Sequence, residues 1–156
     1  MPMSSPPLAE PGVDSPQALE ESVGYLVRNA HRAYDRVLAM ALSKHGILTG
    51  QWSLLRVLWH EDNLSQIEVA QRMRVERASL TLLLNAMEKA GLLTRNGDPA
   101  DRRKQRIRLT AKGRRLQQDL LPLGTAVNTT ALVGFANEEV TALRALLQRV
   151  INNLEQ

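Results

Sequence analysis

Arg102, Arg103 and Lys104 stand in a row beside Asp101, inside a segment, Asp98-Pro99-Ala100-Asp101, whose composition is that of a turn. A cluster of guanidinium and ammonium groups at a loop tip suits a polyanion. The negative potential of a narrow duplex minor groove is what an inserted arginine exploits. Asp101 would weaken simple phosphate attraction, so it reads as the group that orients one of the arginines. A solvated charged turn is the plain alternative for this loop taken alone.

A second set of chemistry-bearing residues precedes it. Over the helix expected at about Glu76 to Ala90, Leu80, Leu83, Leu84 and Met87 fall on one side at 100° per residue and must face a core. The opposite, N-terminal side carries Arg77, Ala78, Ser79, Thr81, Leu82 and Asn85. Small side chains let such a helix approach base edges. Ser and Thr can donate to a base or a phosphate, and Asn can pair with adenine through two hydrogen bonds. Leu82 is a large apolar residue on a face that should be wet. It reads either as a contact for a thymine methyl group or as an ordinary exposed leucine.

The elements that must hold these residues are legible nearby. Ser65-Gln66-Ile67-Glu68 is a capping box opening a helix that should bury Ile67, Val69, Ala70 and Met73. A short turn through Arg74 and Val75 leads to the helix from Glu76, and Gly91 is placed to end that helix in a left-handed cap. Leu92 to Arg95 and Gln105 to Leu109 read as short strands, with Asn96-Gly97-Asp98-Pro99 as the turn between them. Ile107 and Leu109 share one face and Arg106 and Arg108 the other. A helix from Gly50 to His60 turns Trp52, Leu55, Leu58 and Trp59 inward.

Long amphipathic helices flank this unit. From Pro16 to Lys44 apolar residues recur at spacings of three and four, with Ser15 as cap, Pro16 at the first helical position and Gly46 as the stop. One stripe of that length asks for a second chain to cover it. Thr110 caps a helix running past Leu121, where Pro122 kinks it or occupies a break. Asn137 caps the last helix, Glu138 to Leu154, with the stripe Val140, Leu143, Leu146, Leu147, Val150, Ile151 and Leu154.

Charge agrees with composition. The net charge is +4 over 156 residues, but residues 60–115 hold thirteen bases against seven acids. The positive charge is local to the helix pair and the basic loop, which fits a nucleic-acid partner. With no cysteine there is no disulfide, no thiolate switch and no Cys-based zinc site. His31, His45 and His60 are too scattered for a metal centre. No apolar run approaches a membrane span, and residues 1–15 read as a disordered arm rather than a secretion signal. A cytoplasmic protein is expected. No paired carboxylates, Ser-His-Asp set or glycine-rich phosphate loop suggests an enzyme, and no cofactor is implied.

From about Glu20 onward the chain resembles the MarR family (multiple antibiotic resistance regulators), dimeric winged-helix transcription factors. The residues carrying the likeness are Ser65-Gln66-Ile67-Glu68-Val69-Ala70, then Met87-Glu88-Lys89-Ala90-Gly91-Leu92-Leu93-Thr94-Arg95. Asp98-Pro99-Ala100-Asp101-Arg102-Arg103 follows, then Arg108-Leu109-Thr110-Ala111-Lys112-Gly113. The resemblance implies a mainly α fold with a small β-hairpin wing: a winged helix-turn-helix over residues 50–110, and dimerisation helices over 16–46 and 111–156 of a single domain, 16–156. It implies that Arg103 enters the minor groove with Asp101 as its partner, and that Arg95 supports the wing. The family often has a polar or basic residue where this chain has Leu82. A symmetric dimer implies a near-palindromic operator in double-stranded DNA, with half-sites about 10 bp apart.

The expected function is a sequence-specific transcriptional regulator, a repressor released by a small anionic ligand. In the family, effectors bind where the dimer helices meet the reading unit. Here Arg28, Arg32 and Arg36 form a stripe at spacing four, with His31 beside them and Trp52 on the next helix. Cations beside an indole suit an aromatic acid or its CoA thioester. An ordinary solvated face and a core tryptophan are the plain alternative. Two other uses of the fold stay open at this point: a winged-helix module that binds protein, and a nucleoid-type binder without sequence preference.

Overall fold

The computed structural model describes residues 18–156; the expected arm over 1–15, the cap at Ser15 and the helical start at Pro16 lie outside them. The described residues divide into two compact units, one ending at Val37 and the other running from Leu38 to Gln156.

In the first unit a short 3-10 turn, Leu19–Glu21, precedes helix α1, Val23–Ser43. The α-helix thus begins at Val23, and Ser22 Oγ accepts the amide of Tyr25 at its start. Leu26, Val27, Tyr34 and Val37 lie exposed at helical spacing along it.

The second unit takes the end of α1 and then α2 (Thr49–His60), β1 (Leu64–Ser65), α3 (Gln66–Met73), α4 (Arg77–Lys89), β2 (Leu93–Gly97), β3 (Gln105–Leu109), α5 (Ala111–Ala131) and α6 (Asn137–Leu154). Its core gathers one face of the elements from α2 to α5: Leu54, Leu55 and Leu58 from α2, Val69 from α3, Leu80, Leu84 and Met87 from α4, Leu93 and Ile107 from the sheet, and Leu120 from α5. Each such side chain contributes about 1.5–3 kcal/mol by leaving water. Spacings of three and four in the helices, and alternation in β3, produce this set.

The sheet has three strands in the order β1-β3-β2, all antiparallel. The two-residue strand β1 was not expected. It arises because Leu64, just before the α3 cap, is buried opposite Ile107. β2 begins at Leu93 and runs to Gly97, so Asn96 and Gly97 pair with Arg106 and Gln105 and do not form the turn. The loop is therefore the segment from Asp98 to Lys104.

Several local expectations need correcting. Ile67 is 43% exposed and is not a core residue, because α3 turns Val69 and Ala70 inward instead. Asn137 is the first residue of α6, not its cap; Ala136 precedes it, and Glu139 takes the Ala136 amide at 2.8 Å. Pro122 lies within a continuous α5. The capping box at Ser65 is present in both directions: Ser65 Oγ accepts from Glu68 N at 3.2 Å and Glu68 Oε2 from Ser65 N at 2.7 Å. Gly91 adopts φ +74°, and the Leu92 amide reaches back to the Met87 carbonyl at 3.0 Å, which closes α4 in a left-handed cap. No residue of α6 is buried; Leu146, Leu147 and Leu154 of its stripe are exposed.

Candidate nucleic-acid interface

The geometry of the site begins with the turn between α3 and α4. Arg74 sits in the left-handed region at φ 56°, and the Val75 amide bonds the Ala70 carbonyl at 3.2 Å, so α3 stops and the chain turns into α4. Such a conformation costs a non-glycine residue on the order of 1 kcal/mol. The Arg74 guanidinium is held by Glu155 at 2.6 Å.

On α4 the core side and the solvent side divide as the spacing predicts. Arg77, Ala78, Ser79, Thr81, Leu82 and Asn85 are all exposed. Leu82 is 72% exposed, more than any other large apolar residue of this helix. Two of the polar groups already have partners. The Thr81 hydroxyl donates to the Arg77 carbonyl at 2.9 Å and accepts from Gln66 Nε2 at 3.0 Å. Asn85 Oδ1 accepts from Arg95 Nη2 at 2.6 Å, so bidentate pairing with adenine would require Arg95 to release it.

The loop is shaped by its two carboxylates. Asp98 Oδ1 accepts the Ala100 amide at 2.8 Å, and Asp101 Oδ1 accepts the Arg103 amide at 3.0 Å. The strand ends close through Asp98 N to the Lys104 carbonyl at 2.8 Å. Arg103 Nε stays 3.9 Å from Asp101, and its side chain is 95% exposed. Arg102 and Lys104 are exposed as well. Arg102, Arg103 and Lys104 face Arg77, Gln66 and Ile67 across a cleft of about 390 Å³, so the loop tip and the start of α4 flank one cationic groove.

The loop's footing was only partly foreseen. Arg95, 17% exposed, bonds Glu88 with both its amide and its Nε, at 3.1 and 3.0 Å. Arg106, read only as one of two outward arginines, reaches Glu68 at 3.5 Å and Asp98 at 3.8 Å, tying the loop base to the first turn of α3. Asp62 was missed altogether. It accepts the Leu109 amide at 3.0 Å and Arg114 Nη1 at 3.1 Å, and so anchors β3 and α5 to the end of α2. A lone Asp after a helix gives no sequence signal for that role. The Glu68 carboxyl is held below its ordinary range, first by the Ser65 amide and hydroxyl and then by Arg106 and Arg72, against some desolvation. Glu88 is lowered chiefly by its hydrogen bond from Arg95.

Of the residues considered for a ligand, Arg28, His31, Arg32 and Arg36 lie exposed on α1 in the first unit. Trp52 belongs to the second unit and is 6% exposed, with its ring edge-on to Trp59 at 5.9 Å and the Arg56 guanidinium 5.7 Å from its centroid. Among the described residues there is no group of three His, Cys, Asp or Glu side chains placed to hold a metal ion, and no helix long and apolar enough to cross a membrane.

Comparison with known proteins agrees with this architecture. The MarR family model matches residues 49–104, from the start of α2 to the loop tip. The HTH-type transcriptional regulator TtmR of Methylorubrum extorquens (strain PA1) is 35% identical over 117 residues, covering 74% of this chain. That region spans 60% of TtmR's own length. A probable transcriptional regulator from Pseudomonas aeruginosa has a solved structure that superposes with a TM-score of 0.78 at 26% identity, covering 85% of this chain and 99% of that one. The structure of CouR from Rhodococcus jostii RHA1 bound to p-coumaroyl-CoA shares the fold, with a TM-score of 0.76 at 24% identity over 86% of this chain and 94% of CouR. With a helix pair, a basic wing and these relatives in common, the chain belongs to the MarR family of winged-helix transcriptional regulators.

Proposed function

We propose that this protein is a sequence-specific DNA-binding transcriptional regulator of the cytoplasm, a repressor that a small anionic ligand releases. The observation that carries this reading is the cationic groove flanked by the start of α4 and the wing tip. A helix with a small, exposed N-terminal face enters the major groove, and a fully exposed arginine beside it reaches the adjacent minor groove. Arg77, Ala78, Ser79, Thr81, Leu82 and Asn85 form the reading face. Arg102, Arg103 and Lys104 form the wing contact, with Asp101 and Arg95 as supports.

The chain acts as a homodimer. The uncovered stripes on α1 and α6, with Leu26, Val27, Leu146 and Leu147 in water, support that assembly, since apolar rows of this length are ordinarily covered. Two copies then present two reading heads to a near-palindromic site, at a half-site spacing of about 10 bp. The ligand is an aromatic acid or its CoA thioester, with Arg28, His31, Arg32 and Arg36 as its α1 contacts.

Selection of binding sites from random duplex, followed by a gel shift and a footprint, tests the DNA reading. A protected inverted repeat is expected. Protection spread evenly along any sequence would mean a non-specific binder, and no retardation at low salt would point to a protein-binding module. Arg36→Ala should blunt ligand release and leave DNA affinity unchanged; an undiminished response would move the ligand away from α1.

A further inference from the structure

Asn85 carries an amide that can give or take a hydrogen bond, and its neighbours decide which. Arg95 Nη2 lies 2.6 Å from its Oδ1. A guanidinium only donates, so the end of the amide that meets it is the oxygen, and the NH2 group turns away. Arg95 is itself held. Its Nε and its backbone amide donate to Glu88 at 3.0 and 3.1 Å, and its side chain is 17% exposed. Freeing the Asn85 oxygen therefore means breaking an anchored contact.

The rest of this face sharpens the point. Ala78 and Leu82, exposed on the same side of α4, present apolar groups. The Thr81 hydroxyl has its hydrogen on the Arg77 carbonyl at 2.9 Å, so it brings no donor. The Asn85 NH2 group brings two.

Base edges respond differently to such a group. In the major groove guanine shows two acceptors, N7 and O6, while adenine shows one acceptor beside an amino donor. Pairing with adenine needs both ends of an amide; pairing with guanine needs only its hydrogens. The N–H groups of Arg95 beside the amide oxygen add to the preference. Their positive partial charge attracts O6 and opposes an adenine amino group.

We infer that Asn85 selects guanine, acting as a donor only, and that Arg95 is the positioning residue that sets this choice. The inference rests on the regulator reading, in which this face of α4 enters the major groove.

Sites selected from a random duplex pool by the wild type, Asn85→Ala and Arg95→Met test it. The wild type should require guanine at one position of each half-site where Asn85→Ala accepts any base. Adenine there should weaken the wild type by about tenfold, the order of one good base contact. Inosine, which keeps N7 and O6, should bind as guanine does. Arg95→Met frees the Asn85 oxygen and should move the preference at that position toward adenine. Loss of a merely structural residue would weaken every sequence alike. Should Arg95→Met bind no DNA, the comparison of wild type with Asn85→Ala decides the donor assignment by itself. Adenine, thymine or cytosine at the Asn85-dependent position of the wild type overturns the inference. So does an enriched site with no Asn85-dependent position, or an Arg95→Met protein that keeps the guanine preference. A pool that yields no enriched sequence at all would instead defeat the regulator reading, and this inference with it.

Discussion

The amide and the Nε of Arg95 both donate to one carboxylate oxygen of Glu88, at 3.1 and 3.0 Å, which fastens the first strand of the wing to the last turn of the reading helix. The same guanidinium holds Asn85 at 2.6 Å, one helical turn earlier. One side chain thus links the first strand of the wing to two successive turns of the helix.

This clasp is pH-sensitive in a definite sense. Glu88 is held more acidic in the folded chain than its ordinary value of 4.5, chiefly by Arg95. A carboxyl lowered in this way contributes fully above its unfolded pKa, and the contribution fades as pH drops through the folded value. The Arg95 Nε–H resonance should be sharp and protected at neutral pH and broaden only below the ordinary glutamate range. In Glu88→Gln it should be broad at every pH. A resonance indifferent to both changes would mean that the clasp does not hold the wing.

The Arg103 side chain is 95% exposed, and its only carboxylate neighbour among the described residues is Asp101, 3.9 Å from Nε. Removing it should leave the melting temperature unaltered while weakening operator binding by about tenfold or more, the order of one lost groove contact. The slope of affinity against salt should fall by about one as well. Arg103→Lys should restore the salt slope but not the affinity, because a lysine lacks the planar fork. Unaltered affinity for Arg103→Ala would remove the wing tip from recognition.

Leu82 invites a test at the level of one methyl group. Its side chain is 72% exposed on the solvent face of α4, the face proposed here to read the groove. If it packs on a thymine, replacing that base by uracil should cost the wild-type protein about 1 kcal/mol, roughly the value of one buried methyl. It should cost Leu82→Ser nothing. Uracil scanning across a selected site would locate the base, and a scan with no Leu82-dependent position would make this an ordinary surface leucine.

How much of this was legible in the sequence depended on whether the signal was local. The Ser65 box, the Gly91 cap and the two-sided division of α4 all came through, because each is written within a single turn or a single helical period. Asn96 and Gly97 misled because their intrinsic turn preference lost to pairing with Arg106 and Gln105. Ile67 misled because an apolar residue at the first turn of a short helix had too little neighbouring structure to cover it. The Arg106–Glu68 and Asp62–Leu109 links join residues far apart in the chain, and no spacing rule connects them. The stripe on α6 was read correctly as apolar, yet what covers it is beyond any single chain's periodicity.

Gly113 supplies a test of how the second unit is closed. It is the third residue of α5, its carbonyl accepts Trp59 Nε1 at 2.9 Å, and a Cβ there would collide with the Leu92 carbonyl oxygen. Alanine normally stabilises a helix position over glycine by about 1 kcal/mol. Here the obstacle is backbone, which cannot swing aside as a side chain would, and overpacking of this kind costs about 1–3 kcal/mol. The clash should win, so Gly113→Ala should lower the unfolding midpoint and change the Trp59 fluorescence. Gly97→Ala is the control, since nothing lies within 4 Å of the added carbon and it should leave both unchanged. A Gly113→Ala protein as stable as the wild type would show that α5 can slide on the α4–β2 turn, and the wing would then lose the fixed base that its reach into DNA requires.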